Sequence, residues 1–384
     1  MAATITDQPL RIVHAVRAPV GGIIRHILDL ANGQADRGHQ IGLIADSLTG
    51  GARAEAALAE IAPRLALGVH RLPIRRAPSP SDALLWLRFA QLLGRLRPDV
   101  LHGHGAKAGA FLRMLPRKPN TIRVYTPHGG SLHYAPNTLQ GAFYSRLERA
   151  LMNRTELFLF ESAFARDTYR RVIGTPHGLV RCVFNGVGAG EFDPIEVADD
   201  AADLAYVGEF RKIKGADLLI DAVAQLRGAG RTVTLSLGGD GEESQALQAQ
   251  IAALDLGGAV RRLGHVKARD GFAKGRLLVV PSRGDSMPYV VIEAAAAGVP
   301  MLAADVGGIP EIFGPHRQAL FAPNDPAAMA AAIAAALDDP AAAMARAQAL
   351  RQRIFQHFSQ GAMVEGVLAG YREAFAAATP SPGR

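Results

Sequence analysis

Between Leu278 and Ala304 the chain spells out a unit that a parallel sheet accommodates. An apolar run, Leu278-Val279-Val280, gives way to a polar loop from Pro281 to Met287. An amphipathic segment carrying Glu293 and then four alanines follows, and Gly298-Val299-Pro300 leads into a second apolar run. Two short, wholly apolar strands separated by a helix are strands covered on both faces, joined by a crossover. Two carboxylates, Asp285 and Glu293, stand eight positions apart in this unit. The spacing predicts the first in the loop and the second in the first turns of the helix, near the carboxyl end of the strand, where open α/β sheets bind ligands. The loop also opens onto a helix N-terminus, where free N–H groups and the helix dipole favour a phosphate. An anionic, hydroxyl-rich ligand is the expected occupant.

The same alternation runs through the whole chain. At 384 residues it exceeds what one hydrophobic core usually sustains, so two α/β domains are expected. In the first half, a strand over Leu10 to Val16 precedes Gly21-Gly22, which open a helix; the pair reads equally as a ligand-approach turn or as a plain tight turn. Ser81 to Leu96 holds the only tryptophan, Trp86, and reads as a helix covering a sheet in preference to one lying on a membrane. Strands over Asp99 to His102 and Thr121 to Thr126 end in loops rich in histidine and glycine. A strand over Val180 to Phe184 closes with Asn185-Gly186-Val187, and its Cys182 is expected to be a small buried core residue. The acidic, unpatterned stretch Ala189 to Ala202 reads as the domain linker. Beyond it come a strand over Leu204 to Val207, a basic loop Gly208 to Gly215 bearing Arg211, Lys212 and Lys214, and a glycine turn Gly238 to Gly241. Three cations at a strand's carboxyl end suit a diphosphate. The expected domains are residues 1–194 and 195–356, with 357–384 a final helix packing back towards the first domain, and a tail.

Charge and histidine narrow the partners. The net charge is +7, but the first 194 residues alone carry 24 Lys+Arg against 14 Asp+Glu. That basic half suits an anionic membrane surface or an acidic acceptor, or is simply a solvated face. Its basic residues are dispersed, without a helix-turn-helix, finger or aromatic single-strand motif, so nucleic acid is not expected. One cysteine excludes an intrachain disulfide and suits a reducing compartment. No secretory signal and no membrane-length apolar stretch is read, so a cytoplasmic protein is expected, peripheral on the inner face of the cytoplasmic membrane if it meets a membrane at all. His102, His104, His128 and His133 fall at strand ends or loops on one rim. They come from separate elements without H-x-x-x-H spacing, so no metal site is expected. His128, next to glycine, suits a hydrogen bond to substrate, with a structural role as the alternative.

Several stretches together carry a resemblance. The acid and Glu293 before an alanine-glycine run, YVGEFRKIKGADLLIDAVAQL, FNGV before the linker, DVLHGHGAKAG and VYTPHGG occur in one order. The chain resembles the retaining glycosyltransferases of family 4, which have the two-domain GT-B fold. It is similar in particular to members acting in bacterial exopolysaccharide, lipopolysaccharide or capsule assembly. The resemblance runs from about Arg11 to the last helix. It implies an α/β fold of two Rossmann-like domains facing across a cleft, a nucleotide-diphosphate-sugar donor and a lipid-linked or polysaccharide acceptor, with no cofactor and no metal.

Position by position, the resemblance implies that Glu293 binds the ribose hydroxyls. Asp285 and the backbone of Ser286, Met287, Pro288 and Tyr289 then hold the donor sugar, and Arg211 and Lys214 neutralise the diphosphate. Gly21, Gly22, Gly208 and Gly239 line the donor, and His128 lies near the reacting sugar. Three positions depart from the family's pattern. Asp285 stands where Glu is usual and is one methylene shorter; Pro288 stands where Gly is common and lacks a backbone donor; and Glu209 stands where an arginine is usual, leaving that charge to Arg211. The implied reaction is transfer with retention, the acceptor hydroxyl attacking on the leaving-group face and the donor phosphate taking its proton. Two rival readings are a nucleotide-sugar epimerase of the same fold and a non-catalytic nucleotide-sugar-binding regulator.

Overall fold

The computed structural model describes residues 8–129 and 138–378. The chain divides into two compact units, one of Met1–Asn185 with Gln360–Arg384 and one of Gly186–Ser359.

The first unit is built on seven strands: β1 (Arg11–Val16), β2 (Gln40–Asp46), β3 (Gly68–Leu72), β4 (Val100–His104), β5 (Ile122–Thr126), β6 (Leu157–Phe160) and β7 (Leu179–Cys182). All pairings are parallel, in the order β3-β2-β1-β4-β5-β6-β7. The order reverses between β1 and β4, which makes their carboxyl ends the ligand-binding position of such a sheet. Helices Gly21–Ala35 and Gln360–Ala378 pack on the face that carries Ile12, Ile41 and Val100. Their approach is close at Gly33, where a β-carbon would overlap Val364. The opposite face, with Val13 and Ile44, is covered by Ser81–Leu96 through Leu85, Phe89 and Leu93, with Trp86 packed at its margin. That helix covers the sheet.

The GHGAKAG stretch is explained by packing. Gly103 of β4 and Gly109 of helix Ala106–Met114 lie backbone to backbone, and a β-carbon on Gly109 would overlap the Tyr125 ring. One turn later Arg113 is buried; its guanidinium stacks 3.7 Å from the Tyr125 ring and donates to Glu148 Oε2 at 2.9 Å, while the Tyr125 hydroxyl donates to Glu148 Oε1 at 2.8 Å.

The second unit has six parallel strands: β8 (Ala202–Val207), β9 (Leu235–Gly238), β10 (Val260–Gly264), β11 (Gly275–Val280), β12 (Met301–Ala304) and β13 (Leu320–Phe321), in the order β10-β9-β8-β11-β12-β13. Here the reversal falls between β8 and β11. Among the described residues no single helix is long and apolar enough to cross a bilayer; the bent pair Pro326–Asp338 and Pro340–His357 has the composition, but buries Met329, Ile333, Leu350 and Ile354 in the protein.

Two local expectations are corrected. Residues 189–202 are not a free linker. Arg269 donates to the carbonyls of Glu191 and Asp193, Arg351 to that of Phe192, and Asp200 bridges Arg261 and Lys274, so the stretch is fastened to the second unit. The chain passes between units at Asn185-Gly186 and Ser359-Gln360 instead, where Val187 bridges Ser359. Cys182 is exposed, because β7 is the edge strand of its sheet.

The buried Arg113–Glu148 pair yields a prediction. Removing one partner leaves the other charge buried without compensation, which costs about 3–5 kcal/mol. Urea unfolding of Glu148→Ala is expected to show that loss relative to wild type, and Arg113→Ala a comparable one; an unchanged midpoint would contradict it.

Candidate functional site

In the second unit the site is built where the loop after β8 meets the loop after β11. Gly215 follows Lys214 in a left-handed conformation (φ +72), and a β-carbon there would fall on the Pro281 carbonyl. The two loops therefore touch, and they are stitched by Arg283 N–H to the Ile213 carbonyl at 2.8 Å. Lys214 Nζ is thereby set 2.8 and 2.9 Å from the two oxygens of Asp285. Ser282, buried, donates to Asp285 Oδ2 at 2.9 Å. The Asp285 carbonyl accepts from Gly308 N–H at 2.9 Å, and Gly307 (φ +65) passes too close to that carbonyl for any side chain. Gly239 likewise lies against the Gly208 carbonyl. Side chain and backbone of Asp285 are thus held from three directions.

The three cations of the basic loop have separate tasks. Lys212 turns away to Asp217 at 2.6 Å, which Arg283 also grips with both terminal nitrogens at 2.6 and 2.7 Å. Burial alone would raise the Asp217 carboxyl, but hydrogen bonds and charge from Arg283 and Lys212 outweigh it and hold it at about 2. Arg211 is half exposed and, among the described residues, its ion pairs are long ones of 3.8 Å to Glu209 and Glu242. Lys214 alone of the three faces Asp285. Glu293 lies in the helix Tyr289–Ala296 and is buried, as are Met287 and Tyr289, while Ser286 is half-buried. Pro288 is the N-cap of that helix, in extended backbone.

In the first unit the register of β1 and β4 sets His14 opposite His102 and Val16 opposite His104. Side chains two apart on a strand share a face, so these three histidines form one cluster on the side of the helix Gly21–Ala35. That helix adds His26, which bonds Asn185 Oδ1 at 3.0 Å and so accounts for the asparagine of FNGV. The loop after β5 adds His128, held at φ +49, a left-handed backbone that few non-glycine residues adopt. His14 Nδ1 is 3.0 Å from His104 Nε2, and His104 Nδ1 is 3.0 Å from His128 Nε2. His102 reaches the Tyr371 hydroxyl at 2.7 Å and Thr126 Oγ1 at 2.8 Å. Burial lowers all five imidazoles. His14 and His26 fall to about 4; His102 and His104 are pushed well below the usual range by burial and then by their neighbours, His128 by burial and then by His26. At neutral pH the cluster is uncharged. Gly21 (φ +60) and Gly22 are exposed at the start of the helix that carries His26.

The family relationship can be read from the sequence once this geometry is in hand. The profile described as Glycosyltransferase Family 4 matches residues 20–189, and that described as Glycosyl transferases group 1 matches residues 201–339. The chain is 32% identical over 306 residues to D-inositol 3-phosphate glycosyltransferase 1 of Catenulispora acidiphila, covering 72% of each. The chain belongs to glycosyltransferase family 4. It is also 27% identical over 366 residues, 88% of each chain, to a glycogen synthase of Mycobacterium tuberculosis. The solved structure of Anabaena HepE in complex with UDP-glucose superposes with a TM-score of 0.77 at 20% identity, covering 95% of this chain and 99% of that one. Two parallel Rossmann-like sheets with this strand order are the GT-B fold.

For this glycosyltransferase, the structure brings Lys214 and Asp285 into contact and leaves Arg211 outward. His128 joins a histidine cluster whose convergence the spacing along the chain did not announce. His133 lies outside the described residues. His14, His26, Gln34 and Tyr371 were given no site role from the sequence, and Asn185 entered only as part of FNGV. The available signal was the pair of strands that carry histidine in an otherwise apolar run, β1 at His14 and β4 at His102 and His104, which only their adjacency turns into a site.

The buried neutral histidines make stability fall in mild acid. An unfolded imidazole takes up a proton near pH 6.5, whereas folded His14 and His26 do so only near 4. Their contribution is therefore complete above pH 6.5 and lost as pH falls towards 4, at up to about 1.4 kcal/mol per pH unit for each. Asp217, held at about 2, titrates outside this window. Urea midpoints measured from pH 7.5 to 5.0 are expected to fall steadily; a flat profile would contradict neutral burial of the cluster.

Proposed function

We propose that this protein moves a hexose-type sugar, with retention, from a nucleotide-diphosphate-sugar to a hydroxyl of a lipid-linked or polysaccharide acceptor, without a metal ion. The observation that carries the reading is the Lys214–Asp285 pair at the reversal point of the second sheet. An ammonium has three donors. Two are used on Asp285, and the third is available to a phosphate oxygen without breaking the pair. Asp285, oriented by Lys214, Ser282 and Gly308, keeps lone pairs for a sugar hydroxyl. Arg211, only loosely paired, is free to swing to the diphosphate, and Glu293 takes the ribose hydroxyls.

The chemistry follows from where charge develops. Cleaving the sugar–phosphate bond builds negative charge on the leaving diphosphate, and preorganised cations there stabilise the transition state. Lys214 and Arg211 supply that charge, the role a metal would otherwise fill. His128 meets the reacting sugar as a neutral imidazole. The leaving phosphate receives the proton of the attacking acceptor hydroxyl, so no side chain needs to serve as nucleophile. HepE, whose structure holds UDP-glucose, supports a nucleotide-sugar donor. The basic first half suits an acceptor at an anionic membrane surface on the cytoplasmic side.

The test is transfer of labelled sugar from a panel of nucleotide-sugars, with and without membrane lipid, in EDTA. Acceptor-dependent product that keeps the donor's anomeric configuration is expected, and Lys214→Ala and Glu293→Ala are each expected to lower turnover by roughly 100-fold with circular dichroism unchanged. Full activity in both variants would overturn the assignment of the site. Acceptor-free isomerisation would point instead to an epimerase, and binding without turnover to a regulator.

A further inference from the structure

The histidine contacts in the first unit form a single hydrogen-bonded line with a defined end. Gln34 Oε1 lies 2.8 Å from His14 Nε2, His14 Nδ1 lies 3.0 Å from His104 Nε2, and His104 Nδ1 lies 3.0 Å from His128 Nε2. A neutral imidazole has one N–H and one lone pair, so each contact dictates the next. A carbonyl oxygen cannot donate, so His14 carries its proton on Nε2 and accepts at Nδ1. His104 must then donate from Nε2 and accept at Nδ1, and His128 must donate from Nε2. The Nδ1 of His128 is left as a lone pair.

We propose that Gln34, His14 and His104 are positioning residues that lock His128 in its Nε2–H tautomer, so that its Nδ1 accepts a hydrogen bond from a hydroxyl of the bound sugar. This rests on the reading of His128 as the histidine beside the reacting sugar. It goes beyond that reading in fixing which atom of His128 acts, in which direction the bond runs, and what sets it.

A second branch holds the first in place. Gln34 Nε2 approaches the Tyr371 hydroxyl at 3.5 Å, Tyr371 lies 2.7 Å from His102 Nδ1, and His102 Nε2 lies 2.8 Å from Thr126 Oγ1. With Gln34 donating to Tyr371, the phenol donates to His102 Nδ1 and His102 donates to Thr126. Turning the Gln34 amide over would reverse the proton on His14, His104, His128 and His102 together. All of these groups are buried except His128, which is partly exposed, so a partial reversal would leave two donors or two lone pairs facing each other without water to compensate. Tyr371, on the helix Gln360–Ala378, thus ties the far end of the chain to the tautomer of His128. The same nitrogens are close enough to invite a metal ion: one atom each from His14, His102 and His104 lie within 4.8 Å of one another. A proton shared across each 3.0 Å contact uses the lone pairs that an ion would need.

The test is a long-range ¹H–¹⁵N correlation spectrum of the full-length protein labelled at histidine nitrogen, with His128 assigned by its loss in His128→Asn. In wild type, His14, His104 and His128 are each expected to show a protonated Nε2 and an unprotonated Nδ1. Gln34→Met, which keeps length but removes the acceptor, is expected to give His128 a mixture of tautomers. It should also lower kcat about tenfold, the effect of one misdirected hydrogen bond, with KM for the nucleotide-sugar close to wild type. Kinetics use UDP-glucose, or whichever nucleotide-sugar the transfer screen selects. A wild-type His128 protonated on Nδ1, an unchanged tautomer in Gln34→Met, or stoichiometric zinc on the histidine nitrogens would overturn the proposal. The wild-type spectrum requires no substitution and stands apart from activity. Full activity in His128→Ala would instead sink the placement of His128 at the sugar, while leaving the tautomer order itself measured.

Discussion

Reversal of strand order is the constraint on which the rest depends. At β1/β4 and again at β8/β11, neighbouring strands continue into helices that must lie on opposite faces of the sheet, because parallel crossovers keep one hand. Neither connection can roof the strand ends between them, so those ends stay available to a ligand. Both polar clusters of this glycosyltransferase stand there. His14, His102 and His104 gather beside β1 and β4, and Lys214 with Asp285 beyond β8 and β11. The glycines that matter follow from the same constraint. Gly215, Gly239 and Gly307 occur where one loop must press directly on the backbone of another for these side chains to meet.

The two clusters handle charge in opposite ways. In the first unit the groups are buried, where an ionised side chain is costly, and five imidazoles are kept neutral by burial and tied to one another and to Gln34, Tyr371, Thr126 and Asn185. A neutral network of this kind can define direction, since each ring passes on the choice of donor and acceptor made by its neighbour. In the second unit Lys214 and Asp285 form a salt bridge that stays partly exposed, and among the described residues the ammonium is bonded to the two oxygens of Asp285, which suits a ligand that brings its own negative charge. Asp217 performs a different service: by taking Lys212 and Arg283 it welds the two loops together and leaves Lys214 as the cation committed to Asp285.

What could be read from the sequence was what depends on local spacing. The position of Asp285 in a loop, Glu293 within the following helix and Lys214 just before a helix all follow from the distance to the nearest apolar strand. Partners across the sheet did not follow. Lys212, Lys214 and Arg211 look alike along the chain, and it is the contact of Gly215 with Pro281, together with the capture of Lys212 by Asp217, that leaves Lys214 to meet Asp285. His102, His104 and His128 could be placed on one rim, but His14 could not be joined to them because β1 and β4 are far apart in sequence; only their parallel register makes His14 and His102 neighbours. Cys182 was misjudged because an apolar run does not say whether its strand is central or at the edge. The acidic stretch 189–202 passed for a linker because its restraints, Arg261, Arg269, Lys274 and Arg351, all come from later in the chain.

The central claim is that a nucleoside diphosphate is held at the β8/β11 edge by side chains alone. Calorimetric titration of the full-length protein with UDP, GDP and ADP in EDTA tests it most directly, with Lys214→Ala alongside. The account predicts saturable one-site binding of at least one of them in EDTA, unaltered by added magnesium and strongly weakened in the variant. Binding that appears only with magnesium, or that is the same in wild type and Lys214→Ala, would contradict it.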